Sequence, residues 1–171
     1  SATIKVVIKI MKISIKDIRE EECVCDALIL PFAERDSGLY DRLHPSLSKS
    51  IKKAFSKEFS GKQNEVLLIP APEDMKPERI CLAGLGKKAG ISPDKIRQAG
   101  GKALACLRDK GIKKVALSAG YFSTLNISPV NFIEGALLGL YTFRKYQKEK
   151  DIREIDALYI LSKTSKKLAD E

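Results

Sequence analysis

The sequence predicts an α/β fold, a three-layer αβα sandwich built on a mixed, mostly parallel sheet. Short apolar runs that read as strands recur along the chain, and stretches with helical periodicity alternate with them. The run Leu28, Ile29, Leu30 is continuous rather than alternating, as suits a sheet covered on both faces. The length of 171 residues is that of about one domain, able to bury roughly 70% of its unfolded surface. With 44% hydrophobic and 31% charged residues the composition is that of an ordinary globular protein.

Each element follows in order. Ile4, Val6, Ile8 and Ile10 alternate with other residues, but from Met11 the apolar positions become Met11, Ile13 and Ile15, so the face flips there. Met11 is therefore read as the natural start, with residues 1–10 a leader and "MKISIKDI" the first strand. "DALILPFAE" is a buried strand stopped by Pro31 and a polar loop through Gly38. From Ser46 to Phe59 the residues Leu47, Ile51, Ala54, Phe55 and Phe59 fall on one helical stripe, closed by Gly61. "EVLLIPAP" and "RICLAGLG" are two further strands separated by proline and charge.

Ser92 fits an N-cap and Pro93 the first helical position, with Ile96, Ala99, Ala103, Leu104 and Leu107 as the buried stripe up to Gly111. "KKVALSAG" is a strand, and Ser128 and Pro129 repeat the start signal for "VNFIEGALLGLYTFRKYQ". The centre of that helix is apolar nearly all round, which predicts deep packing, and Gly135 and Gly139 let another element approach closely. "IDALYILS" is the last strand, and residues 163–171 begin a polar linker.

Candidate chemistry is sparse. Gly84, Gly86 and Gly90 precede a helix start beside Lys87 and Lys88, an arrangement able to welcome an anion at Gly86, Lys87 and Lys88. The spacing matches neither the dinucleotide fingerprint nor the P-loop, so the glycines are read as chiefly architectural. Cys23 and Cys25 share a strand face, but a zinc site needs two further ligands and the only histidine, His44, lies in another segment. Cys23, Cys25, Cys81 and Cys106 are read as half-buried reduced thiols and not as a disulfide framework. Ser118 follows a strand without a nucleophile-elbow motif and the lone His44 sits in a turn before a helix, which argues against a serine or cysteine triad. The acidic residues, as in "REEE" at 19–22, have the pattern of solvation. Tyr141, Phe143 and Tyr146 stand at helical spacing, as core and interface aromatics do, and Glu134 is read as a helix-cap or backbone partner. No catalytic, cofactor or metal residue is assigned.

The net charge of +9 raises nucleic acid as a partner, but the lysines are scattered and aromatics make up only 6%, so only weak, non-specific phosphate contact is expected. No apolar run reaches the roughly 18 residues of a membrane span, and the opening lacks a signal-peptide core. No membrane partner and a cytoplasmic location are expected.

Two motifs, "RICLAGLGKK" and "FIEGALLGLYTFRKYQ", resemble the N-terminal domain of the leucyl (cytosol) aminopeptidase family. The first places Gly84, Leu85, Gly86 and Lys87 at a strand end. The second carries Glu134, Gly135, Leu138, Tyr141 and Phe143 on a later helix. The likeness runs from Met11 to about Ser162. It implies a macro-domain-like fold in which residues 11–162 are a non-catalytic domain. The implied parent enzyme is a two-metal exopeptidase, a hexamer whose catalytic C-terminal domain, absent here, holds two zinc or manganese ions. The partners implied are that catalytic domain and the other subunits. The alternative implied is a self-standing macro-like module for ADP-ribose-type ligands or nucleic acid, although the chain has no macro-type glycine-rich phosphate loop.

Overall fold

The computed structural model describes residues 11–36, 41, 43–144 and 153–162, the last four of the helix ending at 144 by backbone alone. The expectations for residues 1–10 and 163–171, for Tyr146 and for the side chains of Tyr141 and Phe143 lie outside that description. Six strands run as β1 (Lys12–Lys16), β2 (Ala27–Ala33), β3 (Val66–Pro70), β4 (Arg79–Gly86), β5 (Lys114–Ser118) and β6 (Ala157–Leu161). The helices are α1 (Pro45–Lys57), α2 (Pro93–Asp109), α3 (Gly120–Thr124) and α4 (Val130–Arg144). The sheet order is β1-β6-β5-β2-β4-β3, parallel throughout except for the antiparallel pair β3 and β4. This is the mixed, mostly parallel α/β sheet that the sequence predicts.

Ring contacts and register assign the helices to faces. Phe32 of β2 meets Phe55 of α1 edge-on with centroids 5.4 Å apart, so α1 covers the face bearing Leu28, Leu30 and Phe32. Cys81, aligned with Ile29 on the other face, lies within electrostatic reach of Cys106 of α2. Helices α2 and α4 pack against one another, which completes the third layer.

The predicted caps form as expected. Ser92 Oγ accepts from the Lys95 N–H at 3.3 Å, Pro93 opens α2, and Ile96, Ala99, Ala103, Leu104 and Leu107 are all buried. The Val130 N–H donates to Ser128 Oγ at 3.2 Å at the start of α4. Three expectations are corrected. Strand β2 runs through Pro31 to Ala33, because β5 pairs with β2 only over Ala27–Ile29 and no ladder partner on that side needs the missing N–H. Helix α1 starts one residue earlier, at Pro45, and ends at Lys57, while Phe59 is buried beyond it. Helix α4 is less deeply packed than its composition implies, since Val130 is 53% and Leu138 62% exposed.

Gly135 and Gly139 do admit another element. A Cβ at Gly135 would lie 1.8 Å from the Arg97 carbonyl oxygen, and one at Gly100 would lie 2.0 Å from that of Phe132. Backbone therefore touches backbone where α2 crosses α4. Glu134, read from sequence as a cap or backbone partner, is instead exposed and accepts from Arg97 Nε at 3.1 Å. Two consecutive motif residues thus hold one residue of α2, Glu134 by its guanidinium and Gly135 by close approach to its carbonyl.

Candidate functional site

In an open α/β sheet the place for a ligand is the crevice outside the carboxyl ends of two neighbouring strands whose following helices go to opposite faces. Here those strands are β2, followed by α1, and β5, followed by α3 and α4. The crevice is bordered by Leu30, Pro31, Leu43, Ser118, Gly120, Tyr121 and Glu20. Among the described residues its cavity measures about 10 Å³, the room of a single water molecule.

Tyr121 lines it. Its hydroxyl donates to Asp36 Oδ2 at 2.6 Å and accepts from the Ala33 N–H at 3.1 Å. The ring packs on Phe32 at 5.8 Å, and Lys88 Nζ reaches the same Asp36 oxygen at 3.2 Å. Burial, and then the neighbouring Asp36 carboxylate, push the phenol above its ordinary range, so Tyr121 stays a neutral donor. The end of β2, α3 and the glycine–lysine turn after β4 are tied together at this point.

That turn is the candidate anion site. Strand β4 ends at Gly86, whose φ of +84° is left-handed and suits glycine. The Gly86 N–H donates to the Gly61 carbonyl at 3.0 Å and the Gly84 N–H to that of Glu65 at 2.7 Å. A Cβ on Gly84 would lie 1.9 Å from the Lys62 carbonyl oxygen. An anion arriving at Gly86, Lys87 and Lys88 therefore meets exposed lysine side chains, one of them already held by Asp36, and not free N–H groups of Gly84 and Gly86.

Glu20 corrects the solvated reading of "REEE". It lies in the 3-10 turn Glu20–Glu22 that follows β1 and is 4% exposed, and Ser118 Oγ donates to its Oε1 at 2.8 Å. Burial holds its carboxyl above the usual range against the Ser118 hydrogen bond, with Glu21 raising it further and Arg19 opposing. Its folded-state pKa being raised, Glu20 favours the fold below its unfolded pKa, and that contribution is lost as pH rises through the folded value. Glu20→Gln is expected to be more stable than the parent at pH 8, with the gap closing toward pH 4, as checked by urea unfolding across that range.

The thiols are also more buried than expected: Cys23, Cys25 and Cys81 are buried and Cys106 partly so. A hydrogen bond from Cys25 holds the Cys23 thiol down at about 7, whereas the same bond and burial push Cys25 up. Among the described residues no three Cys, His, Asp or Glu side chains converge as metal ligands would, so Cys23 and Cys25 gain no partners there. His44 sits at the start of α1 with Nε2 3.8 Å from Asp74 Oδ2. Sequence reading missed Tyr121, Asp36 and Glu20. No local pattern marks them, because the side-chain hydrogen bonds that define the site join residues 85 or more positions apart.

Among the described residues, no helix is long and apolar enough to cross a membrane. Residues 32–150 match the family model described as the cytosol aminopeptidase family, N-terminal domain. A protein of Geobacter sp. (strain M21) described as "Probable cytosol aminopeptidase" is 30% identical over 146 residues, which cover 84% of this chain and 30% of that protein. The chain thus spans about a third of the length of that relative. A tomato leucine aminopeptidase mutant superposes with a TM-score of 0.64 at 19% identity over 94% of this chain and 34% of its own. A Trypanosoma brucei macrodomain solved in complex with ADP superposes with a TM-score of 0.59 at 13% identity over 92% of this chain and 66% of its own, a likeness of fold alone. The chain belongs to the cytosol aminopeptidase family and corresponds to its N-terminal domain.

Proposed function

We propose that this chain is the non-catalytic front domain of a two-metal exopeptidase that releases N-terminal amino acids from peptides, and that it acts by packing rather than by chemistry. The observation that carries this reading is the crevice between β2 and β5, which Tyr121 lines while tied to Ala33 and Asp36, with a cavity of only about 10 Å³ among the described residues. The place where an open α/β sheet would hold a ligand is used to join structural elements.

On this reading two zinc or manganese ions would be held by carboxylates of a following catalytic domain and would supply the hydrolytic chemistry there. The assembled enzyme is a cytoplasmic hexamer, and this domain's partners are its own catalytic domain and neighbouring subunits. Nucleic acid is met only through lysines on phosphate, so any binding is indifferent to sequence and falls steeply with salt.

The test is hydrolysis of an amino-acid anilide with added manganese or zinc. The 171-residue chain is expected to give no turnover above background, and the longer protein carrying it at the N-terminus is expected to be active. Metal-dependent turnover by the short chain, abolished by a point substitution within it, would overturn the proposal.

A further inference from the structure

The two edges of the sheet are not equivalent. Strand β1, "KISIK", carries lysine at both ends, a charge pattern that discourages pairing with another strand. Strand β3, "VLLIP", has no charged residue. Its inner side is occupied by β4, where the Gly84 N–H donates to the Glu65 carbonyl and the Ala71 N–H to the Glu78 carbonyl. By alternation, residues 65, 67, 69 and 71 face β4, while Val66, Leu68 and Pro70 turn their main-chain groups to the outer edge, where no strand of the described residues pairs with them. That edge offers the N–H groups of Val66 and Leu68 and three carbonyls.

Beside the edge runs a groove of about 310 Å³ between β3 and α1, lined by Ser50, Lys53, Ala54, Lys57, Glu58, Ile69 and Pro70, two cationic side chains to one anionic. Ala54 and Ile69 give it an apolar floor. Lys53 and Lys57, one helical turn apart and both exposed, put two ammonium groups along one wall.

We infer that the β3 edge is a docking site for an extended acidic segment of another protein, added to the sheet as a seventh strand. Main-chain hydrogen bonds to Val66 and Leu68 supply affinity, and alternate acidic side chains reaching into the groove meet Lys53 and Lys57. A second copy of this chain does not fit. Pairing β3 with β3 about a two-fold axis brings both α1 helices to one face and sets the Lys53 and Lys57 pairs of the two copies against each other, a like-charge juxtaposition.

The test uses the 171-residue chain and a fluorescein-labelled seven-residue peptide alternating glutamate with valine, followed by anisotropy. Saturable binding is expected, with the amide signals of Val66 and Leu68 among those that shift most in NMR spectra. The double variant Lys53→Glu, Lys57→Glu lies on the exposed face of α1 and is expected to bind at least about tenfold more weakly, with an unchanged circular dichroism spectrum. An acidic peptide of equal charge with proline at alternate positions, unable to form a strand, is expected to lose as much. Equal binding of the proline peptide would reduce the site to unspecific charge and overturn the inference. So would perturbation confined to residues away from β3 and α1, or peptide-independent dimerisation through β3.

Discussion

Replacing Gly135 with alanine is expected to destabilise the domain by about 3 kcal/mol, a fall of about 10 °C in melting temperature for a chain of this size. The added methyl group would stand 1.8 Å from the Arg97 carbonyl oxygen and 2.4 Å from its carbon, both backbone atoms that move only if α2 moves. Such overpacking separates two helices that touch along Gly100, Gly101, Gly135 and Gly139, and it strips packing from Phe132, which is buried against Phe122 at 5.6 Å. Gly90→Ala is the matched control, since its methyl would meet only the mobile end of Lys95, at 3.2 Å. A thermal melt of both variants checks the contrast. Equal melting temperatures for the two would show that α2 and α4 are not in backbone contact.

Phe32→Ala is expected to cost about 3 to 5 kcal/mol, the range for deleting a buried phenyl ring and leaving a cavity. Phe32 is wholly buried at the end of β2 and meets Phe55 at 5.4 Å, Tyr121 at 5.8 Å and Phe59 at 6.4 Å. Its loss removes the ring that joins α1 to the sheet and also the apolar support of Tyr121. The expected signature is twofold: a lower urea midpoint without change in slope, and faster hydrogen exchange of the Ala33 N–H that Tyr121 covers. Loss of stability with unchanged exchange at Ala33 would uncouple the aromatic cluster from the crevice.

Much of this architecture is legible in the sequence because it is written in local chemistry. The Ser92 cap, the stripe of α2, the order of strands and helices, and the close approach at Gly135 and Gly139 each follow from spacing and residue type. The errors come from tertiary context. Pro31 signals a stop, yet it is tolerated because the β5 ladder has already ended at Ile29. Glu20 stands in a run of acids that looks solvated, and only the return of the chain past Ser118 buries it. The apolar centre of α4 suggests burial all round, whereas Leu137 and Leu138 face outward, 36% and 62% exposed. The candidate site is the least legible part, since Ala33 with Asp36, Lys88 and Tyr121 belong to three separate segments. The architectural reading of the glycine turn is legible in its spacing, and the N–H groups of Gly84 and Gly86 close hydrogen bonds within the protein.

What separates a packing domain from a ligand-binding module of the same fold is whether the crevice between β2 and β5 can open. Calorimetric titration of the 171-residue chain with ADP-ribose measures this directly. With Tyr121 tied to Ala33 and Asp36 and a cavity of about 10 Å³ among the described residues, no saturable heat is expected up to about 1 mM ligand. One-to-one binding at about 1 μM, some 8 kcal/mol of affinity, would contradict the account and make the chain a binding module in its own right.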